Sequence, residues 1–182
     1  MAEITYFEKT GAENTLATLK IALERCKTGD IEAVVIASTY GESAMQAAEV
    51  FKGSGISLLV VGEVLDGVQQ PTGETRAALE KDGHSVMWGT AMGEMSSFSR
   101  DQAAALVADA YRRVSEGFKV VSEIVLMATS QGFLRPGQRV LAMAGTHRGA
   151  DTAVVASAAS YQAFKQFEIH EILCKPYRRA RE

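Results

Sequence analysis

The sequence predicts an α/β protein built as a three-layer sandwich, helices on either side of a mostly parallel sheet, and three observations carry that prediction. Residues 33–37 (AVVIA) and 57–61 (SLLVV) are short unbroken apolar runs, the pattern of strands covered on both faces. Between them Ala44, Ala47, Ala48 and Phe51 recur at helical spacing, so residues 33–61 read as strand, helix, strand, a right-handed crossover. Helical and strand patterns keep alternating to the end of the chain without a repeat or a clear linker, which favours one ligand-binding domain over residues 1–182.

Taken in order, residues 4–7 form a short apolar run, and Thr10 with Glu13 makes a capping box that opens a helix. Leu16, Leu19, Leu23 and Cys26 give that helix one apolar face, and it ends before Gly29. After the 33–37 strand, Thr39 and Glu42 form a second capping box, and Gly53 and Gly55 close the helix that follows. The stretch 62–72 has Gly62, Gly67 and Pro71 with little periodicity, so it reads as a long connection at the sheet edge and a candidate lid. Residues 74–81 read as a short helix, 85–88 as a short strand and 89–99 as irregular chain. A helix over 100–116 carries Val107, Ala108 and Tyr111 on one face and is expected to be capped around Gly117; a more apolar helix covers 118–129. The turn Arg135, Pro136, Gly137 introduces a strand at 138–144, a glycine-bounded loop leads to another at 151–156, and 168–174 reads as the last.

Composition bounds the rest. The 182 residues are 47% apolar and 23% charged with net charge −3, which excludes a disordered or collagen-like chain. About 70% of the chain's surface can be buried at this size, enough for a core without a metal or disulfide staple. Cys26 and Cys174 sit inside apolar patterns far apart in sequence and read as buried thiols in a reducing compartment. The first residues lack the apolar stretch of a leader, and no window approaches 18 apolar residues, so a cytoplasmic protein without a membrane partner is expected. Residues 1–99 hold 7 Lys+Arg against 14 Asp+Glu, while residues 100–182 hold 12 against 8, making the second half the better host for an anion. The terminal run Lys175, Arg178, Arg179, Arg181 is closed by Glu182 and reads as a solvated tail, with no nucleic-acid partner implied.

Three places can hold chemistry. Ser38, Thr39, Tyr40, Gly41, Glu42 and Ser43 join a buried strand's carboxyl end to a helix N-terminus, where open α/β sheets bind ligands. First-turn N–H groups and the helix dipole favour an anion there, and Gly41 would let a phosphate approach the backbone; alternatively Thr39 only caps and Gly41 only relieves the turn. Gly145, Thr146, His147, Arg148, Gly149, Ala150, Asp151 and Thr152 form the second place, where a guanidinium fork, hydroxyls and uncovered N–H groups suit phosphate. Arg148 and Asp151 can instead pair and fix the loop, and His147 reads as a polar loop residue before it reads as a base. Glu123, in the apolar stretch 118–128, is the weak catalytic candidate: buried, it would serve as acid, base or ligand partner, or it pairs with Lys119 or an arginine. GxGxxG, GxxxxGK[ST], HExxH, GxSxG and any Cys/His metal spacing are missing from the sequence, which demotes the enzyme classes they mark and implies no metal.

Four stretches have a shared specificity that none has alone: Tyr6, Phe7, Lys9, Gly11, Glu13, Asn14 and Thr15; VVIASTYGESA over 34–44; residues 123–128; and GQRVLAMAGTHRGADTAVV over 137–155. In these the chain resembles, over nearly its whole length, the stand-alone proteins related to the C-terminal α/β domain of pyruvate kinase, the pyruvate kinase alpha/beta domain family. Residues 62–72 and 89–99 match that pattern less well. Pyruvate kinase activity does not carry over, because it belongs to a barrel for which 182 residues leave no room. The resemblance implies a flavin mononucleotide (FMN) binder. Thr39, Gly41 and Ser43 would contact the phosphate and the Arg148 loop would close on it, with Lys9, Asn14, Ser38, Tyr40, Gly145, Thr146, Gly149, Asp151 and Thr152 completing the cofactor-binding set. The remaining expectations are a flavin-dependent oxidoreductase with its ring under the 62–72 segment, or a sugar-phosphate or nucleotide sensor without catalysis. A homo-oligomer is compatible with the sequence, since α/β domains with exposed apolar helix faces often dimerise.

Overall fold

The computed structural model describes residues 3–89 and 103–179, and in it the unbroken apolar runs become the centre of a mixed, mostly parallel eight-stranded sheet. In chain order the elements are β1 (Thr5–Phe7), a 3-10 turn (Ala12–Asn14), α1 (Thr15–Cys26), β2 (Ala33–Ala37), α2 (Glu42–Phe51), β3 (Leu58–Leu65), β4 (Val68–Gln70), α3 (Gly73–Lys81), β5 (Ser85–Trp88), α4 (Ala103–Arg112), α5 (Glu116–Ser130), β6 (Arg139–Ala144), β7 (Thr152–Ser157), a second 3-10 turn (Tyr161–Gln166) and β8 (Glu168–Pro176). The strand order is β1-β8-β7-β6-β2-β3-β4, with β5 also paired to β3. β2 is parallel to both its neighbours, β3 and β6, and β5 is parallel to β3; β7 runs antiparallel between β6 and β8.

Strand alternation divides the apolar residues between two faces. Val34, Ile36, Leu58, Val60, Leu141 and Met143 pack with Leu19 and Ala22 of α1, Ala44, Ala47 and Phe51 of α2 and Leu79 of α3. Val35, Leu59, Val61, Val140, Ala142 and Ala144 pack instead with Val121, Ile124, Val125 and Ala128 of α5. Helices therefore cover both faces, and the central strands are buried on each side, as their lack of polar alternation requires.

Several expectations are corrected in detail. Residues 62–72 are not a loose connection. β3 runs on to Leu65 and folds back as β4, with Glu63 opposite Gln70 and Leu65 opposite Val68. Asp66 and Gly67 form the two-residue turn with φ of 49° and 78°, the left-handed pair a tight hairpin needs. Neither expected capping box forms. No side chain caps α1, and at α2 the Ala44 N–H donates to Ser38 Oγ at 3.1 Å while Thr39 Oγ1 turns away to donate to Glu63 at 2.9 Å. Gly117 caps nothing: it lies in the first turn of α5, whose cap is Ser115, and a Cβ there would strike Thr152 Oγ1. The 89–99 stretch, apart from Gly89, lies outside the described residues.

At the amino edge of the sheet Arg25 links α1 to β8 and to the lead-in of β2, meeting Glu171 at 2.6 Å and Asp30 at 2.7 Å, and Asp30 also receives Arg139. Hydrogen bonds from this guanidinium hold the Asp30 and Glu171 carboxyls below their ordinary range. Cys26 and Cys174 are buried as expected, and burial pushes each thiol up to about 11. Among the described residues no helix is long and apolar enough to cross a membrane.

Candidate functional site

Chain direction places the site. From β2 the chain moves outward to β3 and β5 through α2 and α3 on one face, then returns through α4 and α5 on the other face to enter β6 on the opposite side of β2. The loops leaving β2 and β6 therefore diverge in opposite directions along the sheet, one toward β3 and the other toward β7, and leave a crevice at their carboxyl ends. A cavity of about 720 Å³ occupies that crevice, lined by Ser38, Thr39, Tyr40, Glu42 and Ser43 after β2 and by Gly145, Thr146, His147, Arg148 and Gly149 after β6. The two loops chosen from sequence thus share one cavity.

Each loop is held by local chemistry. Gly41 has φ 92° and precedes the first turn of α2, where the N–H groups of Glu42 and Ser43 come before any intrahelical bond. Its missing side chain does not face the cavity: a Cβ would collide with Thr75 Cγ2 and lie 3.2 Å from Pro71 Cβ, so the glycine is required by packing against α3 rather than by ligand approach. In the second loop His147 and Gly149 have φ of 59° and 76°, left-handed positions that curl the backbone around a concavity. Arg148 extends back across the cavity mouth. Its guanidinium lies 5.9 Å from the Tyr40 ring centre and 4.0 Å from Glu42, and its side chain is 70% exposed.

Asp151 and Thr152 lie beneath this loop, fully buried and off the cavity wall. The Asp151 carboxylate accepts the Gly11 N–H at 2.8 Å, the Thr146 N–H at 3.2 Å and the Thr152 hydroxyl at 2.9 Å. It does not pair with Arg148; it ties the loop to the segment before α1. Thr15 and Thr18 add to that tie, Oγ1 of Thr15 accepting from Ala150 N at 3.0 Å and Oγ1 of Thr18 donating to Ala150 O at 3.1 Å. Gly149 permits the contact, since a Cβ would run into Ala12. Lys9 and Asn14 belong to the same buttress. The Asn14 side chain donates to Lys9 O at 2.9 Å, Lys9 faces solvent near Glu13, and neither residue lines the cavity.

Apart from Glu123 and the 62–72 segment, the remaining wall comes from residues not singled out from sequence. One face of α5 supplies Glu116, Lys119, Val120, Glu123, Ile124 and Met127, and the end of α4 supplies Arg112 and Arg113. The spacing of three, four, seven, eight and eleven residues after Glu116 was the available signal, a polar and apolar stripe on a helix whose other residues are core. Glu123 is buried and pairs with Lys119 at 2.7 Å. The β3–β4 hairpin adds Val61, Gly62, Glu63 and Leu65. Arg112 is committed to Asp109 and Glu116, both at 2.9 Å. Among the described residues no group of three or more His, Cys, Asp or Glu side chains is placed to hold a metal ion. No family model matches the chain.

Proposed function

We propose that the protein binds a phosphorylated cofactor, FMN, in this cavity. The phosphate sits between the first turn of α2 and the 145–149 loop, and Arg148 closes over it. One observation carries the reading: two loops with anion-binding character leave β2 and β6 on either side of the switch-point crevice and line the same cavity. Its volume lies within the range of about 300 to 1,000 Å³ usual for small-molecule and cofactor sites. Thr39, Tyr40, Ser43, Gly145, Thr146 and Gly149 offer polar atoms or open backbone around the phosphate, while Ser38 is spent on the helix cap. The resemblance in residues 34–44 and 137–155 supports FMN in particular.

A second reading, a flavin-dependent oxidoreductase, is favoured by the apolar part of the wall. Val61, Leu65, Val120, Ile124 and Met127 can flank a flat ring, and the bound flavin would supply the hydride chemistry while the chain orients it. The test is a visible absorption spectrum taken after FMN is added and the excess removed by desalting. Retained bands near about 370 and 450 nm support the first reading, and bleaching by NADH or NADPH supports the second. A colourless protein that instead binds ribose 5-phosphate by calorimetry replaces both with a sugar-phosphate or nucleotide sensor.

A further inference from the structure

The cavity has a feature that phosphate capture does not use. Lys119 and Glu123, one turn apart on α5, form a 2.7 Å ion pair whose side chains are only 12% and 4% exposed, framed by Val120, Ile124 and Met127. Burying two charges is costly and is not recovered in stability beyond what an apolar pair would give, so stability does not account for this pair in a cavity wall. Its position also differs from that of the phosphate loops. α5 covers the opposite face of the sheet from α2, so the pair meets a ligand that crosses the sheet edge at its far end.

We infer that Lys119 and Glu123 read the polar edge of the ligand's ring, and that the site takes phosphomonoesters whose ring carries a carbonyl beside an N–H. An ammonium offers three donors and a carboxylate about four acceptor positions, so each can hold a ligand atom alongside its protein partners. Side by side they present a donor and an acceptor, the complement of an imide or lactam edge such as that of a flavin or a uracil. A ring with an amino group at that edge would turn its donor toward Lys119. The buried setting makes mispairing costly, which is how a polar pair becomes selective. This inference rests on the phosphate reading of the cavity.

The experiment compares, by calorimetry, FMN with its N3-methylated analogue and uridine with cytidine 5′-monophosphate, using ribose 5-phosphate as the ringless control. The wild-type protein is expected to prefer FMN and the uridine nucleotide by about 10- to 100-fold, the weight of charged hydrogen bonds. In the Lys119→Met/Glu123→Leu double variant, which leaves no buried charge behind, both preferences fall to near unity while ribose 5-phosphate binds as before. The inference is overturned if the wild-type protein shows neither preference, if the double variant keeps them, or if ribose 5-phosphate weakens in parallel. Uridine nucleotide binding without FMN binding defeats the flavin reading alone, and the uridine-to-cytidine ratio still decides this one. Failure to bind any of the phosphomonoesters overturns the phosphate reading and this inference with it.

Discussion

Asp151 is the residue whose loss should be felt most. Its carboxylate is fully buried and accepts three hydrogen bonds, two of them from the backbone N–H groups of Gly11 and Thr146. Gly11 is part-exposed and can be rehydrated at a cost of about 1 kcal/mol, whereas the buried Thr146 N–H would cost about 2 to 3 kcal/mol unpaired. With the Thr152 bond lost as well, Asp151→Ala should destabilise the protein by about 4 kcal/mol, a large share of the ordinary margin of 5 to 15 kcal/mol. Asp151→Asn keeps an acceptor at the Oδ2 position shared by Gly11 and Thr146 and turns its amide toward Thr152, whose hydroxyl can also accept. It should lose only the charge assistance, about 2 kcal/mol. Urea unfolding followed by circular dichroism measures both, and at this chain length the alanine variant should melt about 8 to 16 °C lower. A cost below about 1 kcal/mol for alanine, or equal costs for the two substitutions, would show that the loop is not held through this carboxylate.

Three further outcomes are expected. Arg148→Ala should weaken FMN or ribose 5-phosphate binding by about 1.5 to 3 kcal/mol in calorimetry, with little change in melting temperature because the side chain is mostly exposed and its Glu42 contact is long; the reverse pattern would make Arg148 a loop fastener only. Because Arg25 depresses the Asp30 and Glu171 pKa values, the folded state binds fewer protons than the unfolded one in acid, so stability should be level down to the ordinary carboxylate range near about pH 4.5 and fall below it. An Arg25→Leu variant should lose part of that acid slope, and an unchanged slope in acid titration of the melting temperature would assign it elsewhere. With both thiols buried and raised to about 11, a disulfide reagent at pH 8 should label neither Cys26 nor Cys174 in the native protein and both in guanidinium. Labelling of either thiol within minutes in the native state would contradict that burial.

The amino-acid sequence by itself determined the layered plan. An unbroken AVVIA run, short and rich in β-branched residues, is the pattern of a strand covered on both faces, and β2 occupies Ala33–Ala37 as that pattern predicts. The amphipathic stripe of α2 and the positions of the two loops follow from the same period arguments, since strand and helix patterns are local properties of the chain. The hairpin was also legible, because Asp66-Gly67 between apolar residues is a strong turn signal; it was masked by the polar residues around it, which suit a half-exposed edge. Tertiary structure alone decided which polar residues face the cavity. Asp151 and Arg148 are three residues apart in a loop that looks uniformly suited to phosphate, yet one turns inward to three donors supplied by Gly11, Thr146 and Thr152, and the other outward across the mouth. Gly41 is required by Thr75, more than thirty residues away, and Lys119 with Glu123 joins the site only because the return crossover lays α5 along the crevice. Such partners meet through packing between elements distant in sequence, and no local pattern encodes the direction in which a loop side chain will turn.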